Sequence, residues 1–169
     1  MKAVIEFLNN LEQEKIIKGY ALAGGTALLF YTEPVTTYDV DIFISYPVGP
    51  KGLIDLRPLY RAAEEKGYKA KDEHIMIGKI PIQLFPVDSG LELESVEEAL
   101  EKEYEGSKIK VLSPEYLIAN MLNTNRSKDK ERILKMLDDE VAIDNNKLDR
   151  ILIKYNLKNK WEKIIDKTK

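Results

Sequence analysis

The most constraining stretch of this chain runs from Tyr20 to Ser45. There an apolar run breaks at Gly24-Gly25-Thr26, resumes in Ala27-Leu28-Leu29-Phe30-Tyr31, and gives way to a β-branched segment headed by Asp39-Val40-Asp41. Tyr20 to Ala23 reads as a short buried strand, the glycines as a turn, and the residues from Ala27 as the start of a helix. After the Glu33–Thr37 loop, Val40 to Ser45 reads as a second strand, with Pro47, Gly49, Pro50 and Gly52 stopping it. Side chains alternate across a strand, so Asp39 and Asp41 project from one face while Val40 and Ile42 go to the other. Two carboxylates ~5 Å apart repel by roughly 3 kcal/mol at an effective dielectric of about 20, and a cation between them relieves that repulsion. The sequence contains no cysteine, which excludes disulfides, thiolate zinc sites and cysteine nucleophiles. Magnesium or manganese on carboxylates is the metal chemistry that remains.

The glycine turn supplies a complementary element. A helix N-terminus offers free N–H groups and partial positive charge, and glycines let a phosphate approach the backbone closely. Thr26 adds a hydroxyl. Each feature alone has an ordinary explanation, a loop for Gly-Gly and a solvated strand end for Asp-x-Asp. Together, a phosphate cradle and a carboxylate pair on the next strand are the minimum equipment for binding a metal-triphosphate and stabilising attack on its α-phosphorus.

Elsewhere, Val4, Ile5, Leu8, Leu11, Ile16 and Ile17 predict an amphipathic helix ending at Lys18-Gly19. Leu53 to Lys66 predicts another, capped by Gly67. Tyr68–Ala70, His74–Ile77, Ile80–Phe85 and Ile109–Leu112 read as strands. Ser95 with Glu98 reads as a capping box opening a charged helix to about Tyr104. Ser113-Pro114-Glu115 is a strong helix start. From there Tyr116–Leu122, Lys130–Leu137, Leu148–Tyr155 and Trp161–Ile165 carry apolar residues at helical steps, so a small bundle is expected, its Lys158–Lys169 charges a solvated helix end. The expected division is residues 1–112 as a catalytic-type α+β unit and 113–169 as a helical segment packed on it.

Tyr20-Ala-Leu-Ala-Gly24-Gly25-Thr26-Ala27-Leu, followed by Tyr38-Asp39-Val-Asp41-Ile-Phe-Ile, resembles the signature of the polymerase-beta-type nucleotidyltransferase superfamily. The nearest resemblance is to its small stand-alone members, including the toxin-like nucleotidyltransferases of abortive-infection systems. The stretch from Ser113-Pro-Glu-Tyr-Leu-Ile-Ala to Asn125-Arg126-Ser-Lys128-Asp129 is similar to the helical segment that follows the catalytic sheet in these proteins. The resemblance implies an α+β nucleotidyltransferase fold, a mixed β-sheet flanked by helices with a helical C-terminal segment. It implies that Gly24, Gly25 and Thr26 hold a nucleoside triphosphate, that Asp39 and Asp41 bind Mg2+ or Mn2+ and carry catalysis, and that Arg126 and Lys128 neutralise phosphate charge. It also implies transfer of a nucleotide to a hydroxyl acceptor, the end of a tRNA or a side chain of a partner protein, and a place in a toxin–antitoxin system.

One departure stands out. Active members carry a third carboxylate on a neighbouring strand, and here that strand reads Ile80-Pro-Ile-Gln83-Leu-Phe. An amide ligates a metal but takes up no proton at neutral pH. Asp88 substitutes only if the chain folds back, because at ~3.3 Å per residue a continuing strand carries it past the site; Glu33 is another acid to look for there. The alternative to an enzyme is therefore a catalytically degenerate relative that binds nucleotide or protein. His74, the only histidine, reads as an edge residue rather than a base. The 26 Lys and Arg against 29 Asp and Glu leave a net charge of -3, without the basic excess of a general nucleic-acid or membrane binder. No uncharged apolar run approaches the ~20 residues that span a bilayer, and the N-terminal segment lacks the unbroken apolar stretch of a signal peptide. These features, with the absence of cysteine, lead to the expectation of a cytoplasmic protein.

Overall fold

The computed structural model describes residues 1–33, 37–47, 49 and 53–166. The middle of the Glu33–Thr37 loop, the strand stops at Pro50 and Gly52, and the end of the charged tail fall outside them. In chain order the elements are α1 (Lys2–Gln13), β1 (Gly19–Leu22), α2 (Gly24–Leu28), β2 (Val40–Ser45), α3 (Arg57–Glu65), β3 (Lys69–Lys71), β4 (His74–Ile77) and β5 (Ile80–Val87). There follow α4 (Gly90–Glu97), β6 (Leu100–Tyr104), β7 (Ser107–Val111), α5 (Pro114–Thr124), α6 (Ser127–Asp138), α7 (Asn145–Lys154) and α8 (Lys158–Ile165). The fold is α+β, with one mixed seven-stranded sheet in the order β3-β4-β5-β2-β1-β7-β6.

The centre of the sheet is the part that matters for chemistry. All four residues of β1 are buried, as expected of a strand covered on both faces. β1 runs antiparallel to β2, pairing Leu22 with Ile42, and parallel to β7, pairing Leu22 with Val111. β2 runs parallel to β5 in a register that sets Asp41 beside Gln83, and β5 runs antiparallel to β4 in a register that sets Gln83 beside His74. Along β2, Val40, Ile42 and Ile44 are buried while Asp41 and Phe43 are only partly so, which is the alternation of a strand with one face on the core and one on a cleft. Helices α1 and α4 pack on β1, and α5 packs on α2, α4, α6 and α7. The apolar residues form one continuous cluster from Val4 to Ile164 that includes Leu117, Ile118, Leu148 and Leu152 of the later helices.

Several boundaries differ from the sequence reading. The first helix ends at Gln13, the helix after the glycine turn already begins at Gly24, and α3 begins at Arg57 rather than Leu53. The largest difference lies at Ser95–Tyr104. Ser95 is not an N-cap: it sits buried inside α4, its hydroxyl donating to the Leu91 carbonyl and accepting from Asn120 Nδ2. Beyond Glu98 the charged residues form β6, which pairs with β7 through a tight Glu105-Gly106 turn whose two residues both have positive φ. That turn geometry matches the twist of a hairpin, and pairing overrides the helical preference of Leu-Glu-Lys-Glu.

Candidate active site

The site begins where β1 runs out. The Ala23 amide donates to the Asp41 carbonyl at 2.9 Å, carrying the pairing one residue past the strand and setting Gly24 against the Asp41 side chain. Gly24 has φ +54°, and a Cβ there would lie 2.1 Å from Asp41 Oδ2. A Cβ on Gly25 would lie 2.6 Å from Nη2 of Arg132. Gly24 is thus required by its left-handed backbone and the close approach of a carboxylate, Gly25 leaves room for the movable end of a guanidinium, and the amides of the first turn of α2 remain without intrahelical acceptors. Thr26 is buried and its hydroxyl donates to the Asp39 carbonyl at 3.1 Å, a bond that Thr37 duplicates at 2.9 Å. Thr26 therefore acts on the backbone at the head of β2.

Asp39 and Asp41 line one cleft of about 390 Å³ together with Gly24, Gln83, Arg126 and Lys128. Burial, and next the charge of Asp39, push the Asp41 carboxyl above its ordinary range, against the pull of Arg132, Lys128 and Arg126. Arg132 was not anticipated from the sequence. Its side chain is only 16% exposed, and it joins Arg126 in holding the buried carboxylate of Asp129. Asp129 accepts from Thr124 Oγ1 at 2.6 Å and from Arg126 Nε at 2.7 Å, and Arg132 Nη1 lies 3.4 Å away. Burial alone would raise Asp129, but those hydrogen bonds and the two guanidinium charges hold it below the usual carboxylate range. Asp129 lies in the first turn of α6 and is the post on which two arginines are mounted. The available signal was the Arg126, Asp129, Arg132 spacing, which sets one acid three residues from each of two arginines.

At the third position, Gln83 is the direct register neighbour of Asp41 on β5 and lines the cleft. Its Nε2 donates to Glu73 Oε2 at 2.8 Å. Asp88 does not reach the pair: β5 runs on through Val87, leaving Asp88 exposed beyond its end and accepting from Ser89 Oγ. Glu33 is also exposed, its amide donating to Asp139. His74, set aside in the sequence reading, stands in the same cross-strand row as Asp41 and Gln83, and its Nε2 lies 3.8 Å from Asp39 Oδ2. The pairing of β4 with β5 brings it there, and no spacing within the sequence reveals that. Among the described residues no three His, Asp or Glu side chains gather into a metal cage. The aspartate pair alone fits magnesium as it is held when substrate phosphates and water complete its octahedron.

The chain has the fold of the nucleotidyltransferases. The nucleotidyltransferase-like antigenic protein of Paracoccidioides brasiliensis superposes with a TM-score of 0.57 over 81% of this chain and 74% of its own, at 16% identity. The antibiotic-resistance factor ANT(2'')-Ia superposes in solution with a TM-score of 0.53 over 99% of this chain and 98% of its own, at 14% identity. Its complex with adenylyl-2''-tobramycin gives a TM-score of 0.53 over 92% and 97%, again at 14% identity. At such identities the likeness is one of fold. No protein-family model and no curated protein matches the sequence. Among the described residues no helix is long and apolar enough to cross a membrane.

Proposed function

We propose that this chain is a metal-dependent nucleotidyltransferase that moves a nucleotide from a nucleoside triphosphate to an acceptor hydroxyl and releases pyrophosphate. One observation carries the reading: Asp39 and Asp41 share a cleft with the open first turn of α2 on one side and Arg126, Lys128 and Arg132 on the other. Asp39 and Asp41 are the residues to hold Mg2+ or Mn2+, which when bound supplies charge neutralisation at the α-phosphate and the leaving group. The chain's own groups do the rest. Lys128 makes no ion pair among the described residues and is available to a triphosphate oxygen, while Asp129 keeps both guanidinium groups pre-oriented, so that no reorganisation is needed when charge develops. Gly24 leaves room for the Asp41 carboxylate and Gly25 for the Arg132 guanidinium. The acceptor is a tRNA end or a protein side chain, and a toxin role within a toxin–antitoxin pair belongs to the same proposal. The ANT(2'')-Ia complex, with its adenylyl-tobramycin, supports the general scheme of a nucleotide joined to an acceptor on this fold.

A second reading has its own observation. Gln83 occupies the register position beside Asp41 and its amide is engaged by Glu73, which suits a relative that binds nucleotide without transferring it. Incubation with magnesium and labelled nucleoside triphosphates, with and without a tRNA pool, separates the two. Label transfer that disappears in Asp41→Asn supports the enzyme. Saturable triphosphate binding with no transfer in any arm supports the binding module, and absence of both removes the two together.

A further inference from the structure

The cleft changes character along its length, and the triphosphate accounts for only part of it. Lys128 and Arg132 stand toward the head of β2, where they also flank Tyr38 and Asp39. Along β2 in the other direction, the next residue on the cleft face after Asp41 is Phe43, about 7 Å further on. Its register partner is Phe85, whose ring stands nearly perpendicular to it with 6.1 Å between centroids, and Leu117 and Met121 of α5 complete the apolar lining. Such a lining suits a flat heterocycle rather than a phosphate.

Asn120 brings a polar atom to this lining, and its surroundings decide which atom that is. The residue is only 8% exposed. Its Nδ2 donates to the Tyr116 carbonyl at 2.8 Å, and because a carbonyl only accepts, the nitrogen and not the oxygen must face it. The second amide hydrogen goes to Ser95 Oγ at 2.7 Å, whose own hydrogen is committed to the Leu91 carbonyl at 2.6 Å. Both amide hydrogens are thereby spent. Oδ1 is left over, and among the described residues no donor reaches it although Asn120 lines the cleft. The amide cannot turn over without setting its oxygen against the Tyr116 carbonyl, so the cleft meets a fixed acceptor here and never a donor. Glu92, which also lines the cleft and accepts from Asn123 Nδ2 at 3.2 Å, adds a carboxylate that accepts as well.

We infer that Asn120 Oδ1 selects the base of the incoming triphosphate by accepting a hydrogen bond from an exocyclic amine, so that adenine, cytosine or guanine is taken and uracil, which sets a carbonyl oxygen there, is refused. The inference rests on the proposed function, since it gives that site its nucleobase class, but binding reads it without turnover. The full chain is titrated calorimetrically, in magnesium, with triphosphates in pairs that differ at the amine. ATP is set against purine riboside triphosphate, GTP against inosine triphosphate, and CTP against UTP. In whichever pair binds most tightly, the member without the amine should bind about five- to a hundredfold more weakly, the cost of leaving a buried acceptor unpaired. In Asn120→Ala that ratio should fall to within about twofold, while the member without the amine binds no more weakly than it does to the unaltered chain, a sign that the variant is folded. Should Asn120→Ala fail to fold, the pairs measured on the unaltered chain still decide the matter. An amine preference that depends on Asn120, with no transfer in any assay, keeps the base assignment and removes the enzyme. Equal affinity within the tightest pair, or a ratio unmoved in folded Asn120→Ala, overturns the base assignment and leaves the nucleotide site standing. Binding of no triphosphate at all removes both.

Discussion

Asp129→Asn tests the idea that one buried acid mounts the cationic wall of the site. The substitution keeps the volume and removes the charge from a side chain that is 1% exposed. The bonds at stake are those from Thr124 at 2.6 Å and Arg126 Nε at 2.7 Å, with Arg132 at the edge of bonding distance at 3.4 Å. A hydrogen bond to a charged group contributes about 1.5–3 kcal/mol. The Thr124 bond is counted nearly whole, whereas the Arg126 contribution is discounted because its side chain is 53% exposed and water competes for it. The expected loss is about 2–4 kcal/mol, or a fall in Tm of about 4–16 °C for a chain of this size. The sign with pH is also fixed. Asp129 lies below its ordinary range when folded, so its contribution is complete above the unfolded value of about 3.9 and fades as pH falls through the lower folded one. Calorimetry of both proteins should therefore show a gap in Tm at pH 7 that narrows at pH 3. The same variant should bind magnesium-triphosphate more weakly, because Arg126 and Arg132 lose their orientation. A gap below about 2 °C at pH 7, or one that persists unchanged at pH 3, would refute the argument.

Gly24→Ala should lose label transfer as fully as Asp41→Asn, since its Cβ meets Asp41 Oδ2 at 2.1 Å and its φ of +54° adds about 1–2 kcal/mol of left-handed strain. Gly25→Ala should be milder because the flexible end of Arg132 can yield; equal effects in a side-by-side assay would contradict this account. Glu94 accepts bonds from Lys154, Tyr155 and Tyr116, which overcome its burial and hold its carboxyl at about 2. Glu94→Gln should cost about 1–3 kcal/mol in denaturant melts at neutral pH, with the difference vanishing between about pH 4.5 and about pH 2 as that carboxylate protonates. Gln83→Glu puts a third carboxylate beside Asp41; Tm should fall without magnesium and recover with it, and any transfer rate should rise about tenfold or more by general-base assistance. A rate that falls instead would show that the position beside Asp41 is not where an acid is wanted.

The glycine turn and the Asp-x-Asp strand were legible because their physics is local. Val40–Ser45 announces its pairing face by alternation, and Gly24 announces a bend no other residue tolerates as cheaply. What those residues touch was less legible. Gly25 also makes room for Arg132 and Thr26 also anchors the carbonyl of Asp39, contacts the sequence did not suggest. His74 and the Gln83–Glu73 pair enter the site only through strand register, which no window of the chain encodes, whereas Arg132 is signalled by its spacing from Asp129 but placed at the site by helix docking. The strand β6 was hidden for a related reason: Leu-Glu-Lys-Glu carries helix-forming residues, and only the turn at Glu105-Gly106 reveals the hairpin.

The parallel pairing of Leu22 with Val111 has a consequence for how the molecule is made. A nascent chain emerging from the ribosome can fold the β1–β2 and β4–β5 pieces early, but β1 waits for a partner almost ninety residues behind it, and Gly25 waits longer still for Arg132. Such distant closures are slow. Until synthesis has passed α6, the aspartates have no cationic wall opposite them, so the proposed site cannot assemble before that helix has been made.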